Sequence, residues 1–166
     1  MLPSDSLLHL AGFAFAHATW SVSDLPADEL LVPLAIVEKE GQHQLLRFEA
    51  ETQEQAIRDG KDTLAQHESG LNAWVFVREG QVKEGETYVS VLTVEAKRPS
   101  TGESVLFLQR FQPFASGKFA LLGQPDVLVE GVTLSVEEAN PLVARLLQGV
   151  QSHAKASPLW SEWAAQ

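Results

Sequence analysis

The chain has 166 residues, no cysteine, and 12 Lys/Arg against 22 Asp/Glu, for a formal net charge of −10. That length suits one domain with its own core, and without cysteine there is no disulfide, thiolate catalysis or cysteine–zinc site. The cations are scattered, with only Lys97 and Arg98 adjacent. This argues against the clustered basic surface that nucleic-acid phosphates or anionic headgroups require.

The first element is LLHLAGFAFAHATWS, residues 7–21. A secretory signal needs a basic stretch before its apolar run, yet no Lys or Arg precedes Lys39 and Asp5 sits where the positive charge should be. The run is also shorter than the roughly 20 apolar residues of a membrane span. Ser4, Asp5 and Ser6 are good helix caps, and Leu7, Leu8, Ala11, Ala14, Phe15 and Ala18 share one helical face. The segment reads as an uncleaved structural helix, which makes a cytoplasmic protein the expectation.

A polar connection follows over 21–29, then two strands near 30–38 and 43–49 around the turn EKEGQH. Pro33 cannot donate to a ladder, so the first strand is an edge or starts late. Thr52 and Gln55 have capping-box spacing, and Ala56, Ile57, Gly60 and Leu64 form the apolar stripe of a helix over 53–67. Gly60 weakens that helix by about 1 kcal/mol relative to Ala, or lets it lie close to a sheet. After Gly70 the pattern alternates: NAWVFVRE, TYVSVLTVEAK, SVLFLQRFQPF and KFALLG are strands, with a shorter one at DVLVEG. Asn140 caps and Pro141 opens a last long helix carrying Leu142, Val143, Leu146, Leu147 and Val150. Ser135 and Glu138 cap a preceding turn. SPLWSEWAAQ adds a terminal turn from Pro158. This order predicts a single α+β domain over 1–166. Its antiparallel, meandering sheet has about five to seven strands, with N-terminal, middle and C-terminal helices mainly on one face.

Motifs for chemistry are sparse. Ser116-Gly117-Lys118 lacks the spacing of a phosphate loop, and Asp59-Gly60-Lys61-Asp62 lacks the alternating oxygens of a calcium loop. His9, His17, His43, His67 and His153 form no compact ligand pair, so neither metal nor cofactor is expected. His17, Ser21 and Asp24 have the residue types of a hydrolytic set, but without a nucleophile elbow they read as a capped helix end.

The stretch VLFLQRFQPF, residues 105–114, sets Val105, Phe107, Gln109 and Phe111 on one face and Leu106, Leu108, Arg110 and Gln112 on the other. A turn at 99–102 places Leu92 opposite Gln109 and Val91 opposite Arg110, with Glu95 on the Arg110 face. Arg110 then either pairs with Glu95 or another carboxylate, or orients an anionic or amide-bearing ligand with Gln109 and Glu95. Trp160 and Trp163 either close the core as a lid or anchor a contact with a second copy.

The resulting expectation is an acidic interaction protein of the chaperone, adaptor or inhibitor kind. It acts without catalysis, binds a basic protein partner rather than nucleic acid or membrane, and forms a homodimer. The alternative is a small-molecule binder or enzyme with its pocket around Gln109 and Arg110.

Overall fold

Ser4 caps the first helix, α1 (Asp5–Val22), by accepting the Leu7 N–H on its hydroxyl. The face that the apolar spacing picks out is the heart of the core: Leu7, Leu8, Ala11, Ala14 and Ala18 have no exposed surface and Phe15 only 1%. In the computed structural model, which describes residues 1–165, α1 is followed by β1 (Leu34–Lys39), β2 (Gln42–Arg47) and α2 (Gln53–His67). Next come β3 (Ala73–Glu84), β4 (Thr87–Arg98), β5 (Glu103–Gln112), β6 (Ala120–Val129) and β7 (Val132–Thr133). The chain ends in α3 (Val136–Gln151) and α4 (Trp160–Ala164). Among the described residues the strands form one antiparallel sheet in the order β2-β1-β3-β4-β5-β6-β7, an α+β fold with an open sheet.

Helices α1, α3 and α4 cover one face. α1 and α3 cross with almost nothing between their backbones. A Cβ on Gly12 would lie 1.9 Å from the Leu146 carbonyl oxygen, and one on Gly149 2.1 Å from that of His9. Helix α2 lies on the opposite face, where Leu64 packs with Ala35, Val37, Trp74 and Phe76. Gly60 makes that approach possible, because a Cβ there would stand 2.5 Å from the Phe76 ring. Among the described residues no helix is long and apolar enough to cross a membrane.

Several boundaries differ from the sequence reading. Of the two alternatives that Pro33 left open the late start holds: β1 begins at Leu34 instead of near residue 30, and the sheet edge is β2. Helix α3 starts at Val136, because Ser135 and Glu138 form a complete capping box that satisfies backbone donors before Asn140 is reached. Pro141 is therefore inside the helix, where its missing N–H forgoes a single bond. KFALLG and DVLVEG are one strand, β6, which bends at Gly123 (φ +73°) and bulges against β5 between Leu108 and Arg110. The β4–β5 register sets Leu92 opposite Gln109 and Val91 opposite Arg110, as the turn position implied.

Candidate functional site

The structure separates Gln109, Arg110 and Glu95 instead of converging them. Gln109 is 3% exposed on the α1 side of the sheet. Its amide donates to the carbonyls of Arg110 (2.9 Å) and Gly123 (3.1 Å), and more weakly to that of Leu122 (3.5 Å). All three carbonyls lie at the register shift between β5 and β6. Arg110, on the other face, bonds Glu84 at 2.8 Å and Asp126 at 2.9 Å. Glu95 shares that face but pairs with Arg78 at 3.4 Å. The two tryptophans lie against the core. Trp160 meets Phe15 edge-on at 5.1 Å, and Trp163, 7% exposed, meets Phe119 at 5.6 Å.

Three hollows lie elsewhere, at the β1–β2 end of the sheet. On the α1 side a hollow of about 490 Å³ is lined by Ser6, His9, Leu10 and Phe13 of α1 and by Glu38 and His43 of the strands. His43 Nε2 lies 3.1 Å from Glu38, whose other oxygen is 3.7 Å from Arg98. Arg98 also donates to the Ser6 hydroxyl at 2.9 Å. On the α2 side a second hollow, about 460 Å³, is lined by Val37, Gln44, Leu46, Leu64 and Leu71 among others. The third feature, about 420 Å³, lies where residues 28–33 face the β2–α2 connection. Its floor includes Leu30, Val32 and Phe48, its carboxylates are Asp28, Glu49 and Glu51, and its lining contains no Lys or Arg.

Two histidines that the sequence could not relate also meet. His153 Nδ1 accepts the Ala156 N–H at 3.0 Å, so its proton resides on Nε2, which donates to His17 Nδ1 at 3.1 Å. Phe13 and Trp20 flank the pair. Burial pushes both imidazoles below their usual value; His153, Arg47 and Lys155 add to the effect on His17, and Lys155 to that on His153. Ser21, in contrast, returns its hydroxyl to the His17 carbonyl as a helix-end bond. Among the described residues no group of three or more His, Asp or Glu is placed to hold a metal ion.

The signal for the β1–β2 end was present only in part. QHQLLR reads as a strand, but its position at the sheet edge depends on long-range strand order. Comparison with protein-family models, with curated proteins and with solved structures finds no match.

Proposed function

We propose that this chain is a protein-binding module of the chaperone, adaptor or inhibitor kind, which docks a basic segment of a partner polypeptide at the β1–β2 end of its sheet. The observation that carries the reading is the apolar-floored hollow bearing Asp28, Glu49 and Glu51 with no cation in its lining. Leu30 in its floor is 48% exposed, an apolar surface available for an anchor. The chain's net charge of −10 would speed encounter with a cationic partner and make the complex sensitive to salt. A cytoplasmic setting belongs to the same proposal. The reading around Gln109 and Arg110 has less in its favour, because the polar groups of both already bond within the chain.

The test is an array of short random peptides probed with the protein at low and high salt. Enrichment of apolar residues beside Lys or Arg is expected, with binding that weakens as salt rises. Reversing Asp28, Glu49 and Glu51 to Lys together should lower the affinity of the selected peptides by about tenfold or more. Equal capture of acidic and basic peptides, or an unchanged affinity in the reversed variant, would overturn the proposal.

A second reading has its own observation: Ser6, His9 and the His43–Glu38 pair converge on an apolar wall of Leu10 and Phe13, the composition of a small-molecule site. Native mass spectrometry of undenatured protein tests it. A retained mass that is lost from a Phe13→Ala variant supports this reading, and its persistence in that variant counts against it.

A further inference from the structure

The two edges of the sheet are unequal. At one, β7 is only two residues long, the kind of stub that discourages strand addition. At the other, β2 runs six residues, Gln42–Arg47, exposed or half-exposed throughout and free of proline.

Its pairing shows which backbone groups are open. Phe48 N–H donates to the Pro33 carbonyl at 2.9 Å, and hydrogen-bonded pairs alternate along an antiparallel ladder. Leu46, Gln44 and Gln42, opposite Ala35, Val37 and Lys39, therefore bond to β1. The N–H and C=O groups of His43, Leu45 and Arg47 point away from the sheet.

The side chains follow the same alternation. His43, Leu45 and Arg47 share a face with Glu38, Ile36 and Leu34, the α1 side; Gln44 and Leu46 face α2. The hollows of about 490 and 460 Å³ thus lie on opposite faces of one open edge. An extended backbone added there would send alternate side chains into one hollow and then the other. A helix or a folded surface could not fill both in that way.

We infer that β2 receives the partner: an extended segment adds to it as a further strand, with neighbouring apolar residues entering the two hollows. This rests on the binding reading above and deepens it. Beyond Arg47 the chain passes directly to Phe48, Glu49 and Glu51 of the acidic hollow. The end of the segment lying beside Arg47 is therefore the one that carries its basic residues. A second copy of β2 fits less well. Such pairing would join two chains each carrying −10.

The experiment uses the tightest peptide from the random array. In Leu45→Pro the outward N–H is lost while the bonds to β1, made by the even-numbered residues, remain. Its affinity for the peptide should fall by about tenfold or more. In the parent protein, the peptide should slow amide exchange at His43, Leu45 and Arg47 and leave Val132 unaffected. That readout decides the matter if the proline variant fails to fold. A basic peptide that leaves edge-amide exchange unchanged and binds folded Leu45→Pro within about twofold of the parent overturns strand addition but leaves the basic-partner reading standing. An array with no basic preference instead removes the reading on which it rests. Self-association of the free protein that Leu45→Pro abolishes would assign the edge to a second copy and overturn the inference.

Discussion

His17 and His153 share one proton between two ring nitrogens, and the arrangement works only while both imidazoles are neutral. Adding a proton sets N–H against N–H, and the charges that act on the pair, Arg47 and Lys155, are both positive. Both folded-state values lie below the ordinary 6.5, so just below that pH the unfolded chain binds more protons than the folded one. Their contribution is complete above about 6.5 and is lost as pH falls through that value toward the depressed folded values. Glu79 acts in the opposite sense, since burial raises its carboxyl and stability is gained as it protonates. The test is therefore a difference. The urea midpoint of the parent should drop more steeply below pH 6.5 than that of His17→Gln, and parallel profiles would show that the pair does not titrate with folding. The sequence placed His17 on a helix and His153 beyond another, but their meeting spans 136 positions. No local pattern encodes such a contact.

Among the elements, β5 and β6 mark how far period and register carry. Alternation in VLFLQRFQPF set the two faces, and a turn at 99–102 set the register with β4; both hold. The same reasoning split β6 in two, into KFALLG and DVLVEG. The strand continues through its bulge, where the Gln109 amide donates to the Leu122 and Gly123 carbonyls from across the strand pair. Gln109→Leu should strip the bulge of its buried amide donor, lowering stability by about 1–3 kcal/mol and speeding amide exchange in β6 around Gly123. Denaturation and exchange measured together check this. A variant as stable as the parent would mean that water takes over those bonds and that the bulge needs no side chain to hold it. The candidate docking site escaped the sequence for a related reason. Pro33 signalled an edge or a late start for β1; the late start holds, and the edge is β2, which only the strand order reveals.

At the scale of the whole molecule, the open question is whether the C-terminal segment closes the core or joins two chains. Trp160 reaches Phe15 of α1, Trp163 reaches Phe119 beside β6, and the two rings meet each other at 5.9 Å. Ala156, just before them, is fully buried. These contacts tie the first helix to the far strands, which makes the segment a lid on the face where α1 and α3 already lie. Removing everything after Lys155 should therefore uncover Phe15 and Phe119, and the loss of buried aromatic packing should lower stability by about 3 kcal/mol or more. Sedimentation of the truncated and full chains at matched concentration supplies the second half of the test. If the lid is the whole role of the segment, the assembly state is the same in both while the urea midpoint of the truncated chain falls. If the assembly dissociates while the midpoint stays where it was, the tryptophans act between chains, and their place against Phe15 and Phe119 contributes little to holding the fold.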